Sequence, residues 1–377
     1  MKKRVLSILS AGLLLLSATA CGTNADSVQA AGAQAAGTDP AVIAEPANET
    51  TPAAATEDTN SAAPETAGEA VPYQDTGIEI TSTDTKVIIG DQGYYVTPII
   101  EHFGWYDTFL RDKGIEVEQA TFNSGPEMIE TFTAGGLDWG VMGLQPAVSG
   151  AANEAGVQVL ASFVDQSRAT VLATLDDSIK TVSDLKGKRV GAKIGSSEYA
   201  FLLWALQEEG LSAADVDIIN LDIPAIAPAV ESGEVDAGTT NINNFTRVAS
   251  ADGITFNYIK DAVGSGTALQ PIVVRTEFAQ AHPDVVETIL TLYKWGIDWI
   301  AENHDEAVQI IADYYGTGVD VPETVLTYQT YGFAPLQEFL DSTENYITFL
   351  YDGGYISTRV ETDGFVDLSY GKAVGLE

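Results

Sequence analysis

Short apolar runs alternate with amphipathic segments along the chain from residue 85 onward. Residues 87–90 form an apolar run of strand length, and a helical pattern follows in which apolar side chains recur every three or four positions until Gly114. Residues 115–118 alternate between apolar and charged side chains, as in a half-buried strand, before the helical spacing returns. Strands that alternate with helices in this way predict an α/β fold with mostly parallel sheets covered on both faces.

The rest of the chain carries further runs of both kinds. Two apolar runs, residues 157–164 and 169–175, are joined by a short polar link. Residues 357–377 are weakly patterned, so we expect a loop with a frayed end there. Helices are predicted at residues 283–303, 306–315, 322–328 and 336–350.

The stretch from Ser183 to Gly210 combines a strand, a small-residue loop and a helix start. Apolar residues 190–194 are followed by Gly195-Ser196-Ser197, and the helix that begins there ends at Gly210. The first backbone N–H groups of a helix lack intrahelical acceptors and lie at the positive end of the helix dipole, so they can donate to oxygen atoms of a solute. A serine at this position is also a common helix cap, and the pattern alone leaves both interpretations open.

The first 21 residues have the pattern of a secretory signal. Three basic residues at positions 2–4 precede an apolar run of signal-peptide length, and small residues stand directly before Cys21. The stretch LSATAC resembles bacterial lipoprotein signals, in which the cysteine is acylated and becomes the new N-terminus, although Ala18 stands where leucine is commoner. A membrane-spanning helix is the alternative, but the run falls short of about 18–20 residues. We therefore expect a lipoprotein signal peptide at residues 1–21, lipidation at Cys21 and attachment to the membrane through the lipid.

Residues 22–80 differ from the rest in composition. Ala, Thr, Glu, Pro and Gly dominate them and Lys and Arg do not occur, so we expect a disordered acidic tether. The whole chain has 54 acidic and 18 basic residues and a formal charge of −36, which argues against nucleic acid as a partner because no basic patch is available for phosphates. With 377 residues the chain is long enough for two lobes, and we expect a monomer.

Few residues are available for catalysis or metal binding. Cys21 is the only cysteine, and the histidines are His102, His282 and His304, so neither a Cys–His nucleophile pair nor a cysteine-rich metal site can be assembled in the folded part. Gly195-Ser196-Ser197 lacks the lysine of a nucleotide-binding P-loop. We therefore expect a binding protein without catalytic residues, metal or cofactor.

Four segments together resemble the nitrate-, sulfonate- and taurine-binding proteins of ABC importers and their relatives that bind thiamine precursors. The segments are FNSGPEMIETFTAGGLDWGVMG, VSDLKGKRVGAKIGSSEYAFLLWALQEEGL, ESGEVDAGTTN and VVRTEFAQAHPDVVETILTLYKWGIDWIAEN. The resemblance extends over residues 85–350, and its most specific parts are the strand entry DLKGK and the helix entry F-x-x-x-H-P. The shared order of these segments along one chain is more specific than any single motif.

The resemblance implies a type 2 periplasmic-binding-protein fold, in which two α/β lobes are joined by two crossing strands and hold a ligand in the cleft between them. On this sequence, residues 85–169 and 273–377 would form lobe 1 and residues 170–272 lobe 2. The resemblance also implies an extracytoplasmic receptor, lipid-anchored to a bacterial cell membrane, that delivers a small solute to an ABC permease and its ATPase. Hinge closure around the solute would give the transporter a shape to sense.

Ligands of open α/β sheets bind beyond the carboxyl ends of the strands. Here those ends lead into five polar loops, and residues 239–244 are especially rich in neutral hydrogen-bonding side chains. Arg168, near the expected crossing between lobes, is a candidate for charge-assisted bonds to an anion. The candidate ligand-binding residues are Gln92, Tyr94, Tyr95, Ser124, Gly143, Gln145, Arg168, Ser196, Ser197, Glu198, Tyr199, Asn241 and Asn243.

The chemistry of these loops leaves the identity of the solute open. Helix N-termini and neutral donors favour a sulfonate, nitrate or carboxylate, whereas Glu198 would repel an anion or attract an amine. An amino-bearing sulfonate such as taurine satisfies both features, and so does a neutral aminopyrimidine held between Tyr94 or Tyr95 and Tyr199. An extracellular enzyme similar to the pyrimidine synthases is the alternative from another functional class.

Overall fold

Two mixed β-sheets organise the computed structural model, which describes residue 73 and residues 75–377. The predicted signal peptide at residues 1–21, Cys21 itself and most of the predicted tether lie outside the described residues. Within the described part, no helix is long and apolar enough to cross a membrane.

The strands follow the predicted apolar runs. The runs predicted at residues 157–164 and 169–175 correspond to two strands, and every residue of the second is buried. In chain order the strands are β1 Thr85–Asp91, β2 Ile115–Thr121, β3 Trp139–Val141, β4 Val157–Asp165, β5 Thr170–Thr174, β6 Arg189–Ala192, β7 Asp217–Asn220, β8 Ala237–Asn241, β9 Asn257–Asp261, β10 Leu269–Arg275 and β11 Thr330–Tyr331.

The helices cover the sheets, and the helix predicted before Gly114 is interrupted at Gly104, whose φ of 63° lies in the left-handed region. In chain order the helices are α1 Val96–His102, α2 Trp105–Phe109, α3 Gly125–Thr133, α4 Leu144–Ala152, α5 Ser197–Glu208, α6 Ile223–Glu231, α7 Ile242–Asp252, α8 Thr276–Ala281, α9 Pro283–Glu302, α10 His304–Tyr315, α11 Asp320–Tyr328, α12 Leu336–Asp352, α13 Thr362–Phe365 and α14 Ser369–Ala373. Single 3-10 turns occur at Arg111–Lys113, Val182–Leu185 and Ala213–Asp215.

The first sheet has the strand order β11-β4-β10-β3-β1-β2, and the second has the order β7-β6-β8-β5-β9. β1 and β2 pair in parallel from Thr85 opposite Ile115 to Asp91 opposite Thr121. Only β2-β1-β3 and β7-β6-β8 are parallel among the described strands, so the prediction of mostly parallel sheets was wrong. The other pairs are antiparallel because they involve strands that leave one sheet for the other or return from it.

Two short crossings join the sheets. The chain passes from β4 to β5 through residues 166–169 and returns from β9 to β10 through residues 262–268. The crossings pair with each other, since the Gln166 N–H donates to the Ala268 carbonyl at 3.1 Å. The molecule therefore has two α/β lobes, which we call the first and second lobe after their sheets. The predicted change of lobe between residues 272 and 273 falls inside β10, which lies wholly in the first sheet.

Each lobe has an apolar core of its own. Trp105, Trp139 and Phe163 are fully buried in the first lobe, where α1 and α9 pack against each other and the sheet. Phe201 and Phe245 are fully buried on opposite faces of the second sheet. Full burial of a side chain of this size contributes about 1.5–3 kcal/mol, so each lobe is stabilised independently of the cleft between them.

The C-terminal residues are packed rather than frayed, so that expectation was wrong. The Tyr370 hydroxyl donates to the Ala279 carbonyl at 2.8 Å, and the Leu336 N–H donates to the Glu377 carbonyl at 2.8 Å. The side chains of Tyr370 and Leu376 are buried against the first lobe. Single anchoring side chains fix this segment, and a periodicity search does not detect such anchors.

The end of the predicted tether also contacts the first lobe. The ring of Tyr73 stacks on Trp295 with the ring centroids 5.3 Å apart. Thr81 and Ser82 donate to the carboxylate of Asp284, at the start of α9, from their backbone N–H groups and from both hydroxyls. Burial alone would raise the pKa of Asp284, but these hydrogen bonds hold it well below its ordinary value.

Candidate functional site

A cavity of ≈ 360 Å³ lies between the two lobes, at the carboxyl ends of the strands. Its size falls in the range of about 300–1,000 Å³ that is usual for small-molecule sites. The lining residues come from both lobes and are Gln92, Gly93, Tyr94, Tyr95, Phe122, Asn123, Gly125, Gly143, Pro146, Gln166, Ser196, Ser197, Glu198, Ile223, Pro224, Asn241, Asn243, Asn244, Arg247, Gln270, Val325 and Gln329.

Five described helices of nine or more residues begin at the wall of this cavity. Gly125 opens α3, Gly143 precedes α4, Ser197 opens α5, Ile223 opens α6 and Asn241 precedes α7. Backbone N–H groups in a first helical turn lack intrahelical acceptors, and the dipole places a partial charge of about +0.5 at each helix start. The wall is therefore suited to the oxygen atoms of an anion.

Two of these helix starts carry side-chain caps. The Oγ of Ser196 accepts a hydrogen bond from the Tyr199 N–H at 3.2 Å, and the Oδ1 of Asn241 accepts one from the Asn243 N–H at 3.2 Å. Ser196 therefore caps α5 and also lines the cavity, so the cap is confirmed and contact of this loop with a solute stays a prediction. Because the caps occupy only some of the first-turn donors, others remain for a solute.

The two lobes touch directly at Gly143. A Cβ atom built on Gly143 would lie 1.8 Å from the Oγ of Ser197 and 2.9 Å from its Cβ. Gly143 belongs to the first lobe and Ser197 to the second, so only a residue without a side chain allows this approach across the cleft. A second crossing contact brings Gly195 against Pro126, whose Cγ would lie 3.6 Å from a Cβ at that glycine. The lobes are thus closed around the cavity.

The loop after β1 is held by its own hydrogen bonds. The Oδ1 of Asp91 accepts a bond from the Tyr94 N–H at 3.0 Å, which turns the chain into α1. The Tyr94 hydroxyl donates to the Oε1 of Gln270 at 3.2 Å, and the Nε2 of Gln92 donates to the Val141 carbonyl at 3.1 Å. Burial raises the pKa of Asp91, although the backbone N–H bonds lower it in part. This wall is preorganised before any solute binds.

Three polar atoms at or beside the cavity are buried and have no hydrogen-bond partner within residues 75–377. They are the Oγ of Ser124, the Oγ of Ser197 and the Oδ1 of Asn243. Ser197 is 4% exposed and lines the cavity. A buried polar atom without a partner costs about 1–3 kcal/mol, so a solute that bonds to these atoms would recover part of that free energy.

Glu198 and Arg247 are the charged residues of the described wall. Burial raises the pKa of the Glu198 carboxyl above its ordinary value, although hydrogen bonding with its own backbone N–H and with the Ser196 hydroxyl lowers it in part. Arg247 is exposed, and its guanidinium donates to the Oδ1 of Asn244 at 3.4 Å. The wall therefore carries a half-buried acid on α5 and an exposed base on α7.

Nine of the thirteen predicted residues line the cavity, and four lie elsewhere. Ser124 is buried between the lining residues Asn123 and Gly125 without lining the cavity itself. Gln145 accepts a hydrogen bond from the Tyr346 hydroxyl at 3.1 Å, because α4 turns its side chain toward α12. The lining residues predicted from sequence are Gln92, Tyr94, Tyr95, Gly143, Ser196, Ser197, Glu198, Asn241 and Asn243.

The other two predicted residues make contacts outside the cavity. The guanidinium of Arg168 lies over the ring of Tyr328, 5.7 Å from its centroid. Tyr199 stands two positions after Ser197 on α5, so it points to another face of that helix and packs against the second-lobe core. The predicted sandwich of an aminopyrimidine between Tyr94 or Tyr95 and Tyr199 is therefore not formed by the described residues.

Several lining residues were missed by the sequence reasoning. Gln166 lies in the first crossing, Gln270 in β10, and Val325 and Gln329 in and after α11. None of them follows the end of a parallel strand, which was the signal used. Arg247 lies one turn and a half into α7, and helical spacing from Asn243 and Asn244 would have placed it on the same face.

The described residues contain no group of three or more His, Cys, Asp or Glu side chains that could hold a metal ion. The sequence matches the model of the "NMT1/THI5 like" family over residues 102–307, which is more than half of the chain. The chain belongs to this family. The prediction of a relationship to sulfonate- and thiamine-precursor-binding proteins is confirmed at the level of the family.

Named relatives of this NMT1/THI5-like protein are solute-binding proteins. A protein of Bacillus subtilis (strain 168), designated an aliphatic sulfonates-binding protein, is 32% identical over 232 residues, which are 60% of this chain and 69% of that protein. The taurine-binding periplasmic protein of Escherichia coli (strain K12) is 28% identical over 183 residues, which are 48% of this chain and 56% of that protein. The chain thus spans little more than half the length of the taurine-binding relative.

The fold agrees with that of solved binding proteins. The alkanesulfonate-binding protein SsuA from Xanthomonas axonopodis pv. citri, bound to MOPS, superimposes with a TM-score of 0.69 at 20% identity, over 76% of this chain and 99% of that chain. The NMT1/THI5-like chain therefore has the predicted two-lobed periplasmic-binding-protein fold, with its cavity between the lobes.

Proposed function

We propose that this protein is the extracytoplasmic solute-binding component of an ABC importer and that it binds a small organic anion of the sulfonate class, taurine included. The observation that carries the proposal is the convergence of five helix starts on one closed cavity between two lobes. Such a wall replaces the water around an anion with fixed backbone donors and needs no full counter-charge. Neutral amide side chains, among them Gln92, Gln166 and Asn241, provide the remaining polar surface.

The comparisons support binding rather than catalysis. The named relatives are binding proteins for aliphatic sulfonates and for taurine. As the binding component of such an importer, the protein would have an ABC permease and its ATPase as partners. The contacts Gly143–Ser197 and Gly195–Pro126 cross the cleft. A solute that stabilises the closed arrangement of the lobes would therefore also determine which surface of the protein the permease contacts.

We propose further that the protein is held at the outer face of the membrane by acylation of Cys21, with residues 22–80 as tether and the lobes divided at residues 169/170 and in the return crossing, residues 262–268. The small residues before Cys21 and the short apolar run support the anchor. Detergent phase partitioning of wild type and Cys21→Ser tests it. The wild type should enter the detergent phase and the variant the aqueous phase, and equal partitioning contradicts the anchor.

The experiment that tests the solute class is titration calorimetry of the folded part with taurine, ethanesulfonate, nitrate and an aminopyrimidine. Phosphate buffer is required because sulfonate buffers would compete. We expect a sulfonate to bind with micromolar affinity, and a solute at 100 times its Kd stabilises the folded protein by about 2.7 kcal/mol. A parallel melting experiment should therefore show a clear rise in Tm with the same ligand.

A cavity variant, Gly143→Ala, and a control variant outside the cavity together separate cavity binding from surface binding. Gly332→Ala is suitable because a Cβ at Gly332 would meet nothing within 4 Å and the residue does not line the cavity. It should bind the solute as the wild type does. Preferential binding of the aminopyrimidine, or absence of binding by every sulfonate, contradicts the proposed solute class.

A further inference from the structure

The half-buried acid Glu198 stands where a simple anion would be expected to bind. It lies in the first turn of α5 and lines the cavity. The helix start with the strongest sequence signal therefore already carries a carboxylate of the protein itself. A second anion at the same helix start would meet Glu198 at close range.

Glu198 forms no ion pair with a Lys, Arg or His side chain within the described residues. The other charged side chain of the cavity wall, Arg247, is exposed and donates to Asn244 instead. The groups that feel its charge are the hydroxyls of Tyr94 and Tyr346. A carboxylate that is partly withdrawn from water without a charged partner is destabilising, and a solute with a positive group lowers that cost when it binds.

We propose that the solute of this cavity carries an ammonium group in addition to its anionic group, and that the ammonium group contacts the Glu198 carboxylate. The inference rests on the proposed function and narrows it from sulfonates in general to amino-bearing sulfonates. Within that class, the solute has one positive and one negative end, so it meets both the acid and the helix starts of the wall.

The rest of the wall provides a place for the anionic end. The starts of α3 and α4 in the first lobe, at Gly125 and Gly143, carry no acidic side chain on the cavity wall. The Oγ of Ser197, which is 4% exposed and has no partner among residues 75–377, lies across the cleft beside Gly143. A sulfonate at this point would accept a hydrogen bond from that hydroxyl and from first-turn N–H groups.

The matched ligands taurine and ethanesulfonate test the inference, because they differ in the amino group alone. Titration calorimetry at neutral pH in phosphate buffer should show that the wild type binds taurine at least about tenfold more tightly, since a charge-assisted hydrogen bond is involved. Glu198→Gln removes the charge and keeps the size of the side chain, so it should lose the preference for taurine and bind ethanesulfonate at least as well as the wild type.

Glu208→Gln is the matched control. Glu208 lies on the same helix, away from the cavity wall, with its Oε2 3.6 Å from the Nζ of Lys260. This variant should keep the wild-type preference for taurine. Circular dichroism and Tm establish that each variant is folded.

Each outcome bears on a different claim. Equal binding of the two ligands by the wild type, or an unchanged preference in Glu198→Gln, overturns the ammonium contact and leaves the sulfonate-binding function standing. Ethanesulfonate binding that tightens as the pH falls, with no preference for taurine, also overturns it, because a protonated Glu198 would then donate to the anion. Absence of binding by both ligands contradicts the proposed function itself, and the ammonium contact with it.

Discussion

Gly143→Ala should weaken solute binding without unfolding either lobe. The new Cβ would lie 1.8 Å from the Oγ of Ser197, and the backbone at Gly143, with φ −61° and ψ 150°, is one that alanine adopts freely. The conflict therefore arises between the lobes, and it disappears when the cleft opens. The unliganded protein should keep the wild-type Tm within a few degrees.

The size of the effect follows from the cost of overpacking. Inserting a methyl group into a filled contact costs about 1–3 kcal/mol, and a coupling of this size corresponds to a change of about 5–150-fold in affinity. Because closure and binding are linked, the Kd should rise by that factor. Titration calorimetry measures the Kd, and small-angle X-ray scattering measures whether the solute still makes the protein more compact.

A second substitution provides the rescue. Ser197→Gly removes both atoms that a Cβ at Gly143 would meet first, at 1.8 Å and 2.9 Å. At saturating solute, the double variant should regain the compaction that Gly143→Ala alone should lack, although it also loses the Ser197 hydroxyl as a donor to the solute. The reasoning is refuted if Gly143→Ala binds and compacts as the wild type does, or if it lowers the Tm of the unliganded protein as much as it weakens binding.

Three further predictions concern stability. Burial raises the folded-state pKa of Glu198, so its contribution to the free energy of unfolding is present below the unfolded-state pKa and is lost as the pH rises through the folded-state pKa. In urea unfolding without ligand, Glu198→Gln should therefore be more stable than the wild type at about pH 7–8 and should lose that gain toward about pH 4. A difference in stability that stays constant with pH contradicts this prediction. The folded-state pKa of Asp284 is lowered, so its contribution to the free energy of unfolding is present above the unfolded-state pKa and is lost as the pH falls. Asp284→Asn should lower the stability by about 2–3 kcal/mol at neutral pH and by less in acid. A loss of stability that grows in acid contradicts this prediction. In the wild type, the buried Asp138 carboxylate lies 2.5 Å from the Arg275 guanidinium, so Arg275→Ala leaves it without its partner and should lower the free energy of unfolding by about 3–5 kcal/mol in the same assay. Lys180→Ala, in an exposed ion pair, should lower it by at most about 1 kcal/mol. Similar losses of stability in the two variants would rule this prediction out.

The sequence located the parts of the cavity that depend on local order along the chain. Gly143, Ser197 and Asn241 lie where a strand leads into a helix, and the carboxyl ends of parallel strands meet at one edge of a sheet. Their placement at the cavity wall follows from that topology and needs no knowledge of how the lobes pack. The two-lobed fold was predicted correctly from the family resemblance of four segments, and most strand positions were predicted correctly from the apolar runs.

The missed residues depend on long-range packing. Gln270 reaches the cavity because β10 returns from the second lobe beside β3, and Gln329 reaches it because α11 approaches the cleft. Arg168 was predicted at the site from its position in the crossing, but its guanidinium turns to the ring of Tyr328. Spacing along the sequence specifies on which face of a helix a side chain lies, but tertiary packing decides which other element that face contacts. Side-chain direction was thus the least predictable feature.

The most direct test of the account is a crystal structure of the folded part grown with taurine. The account predicts taurine in the cavity, with its sulfonate oxygens about 2.7–3.2 Å from backbone N–H groups at the helix starts and its ammonium group beside Glu198. Taurine bound outside the cleft, or a sulfonate beside Glu198 with the ammonium group turned away, would contradict it.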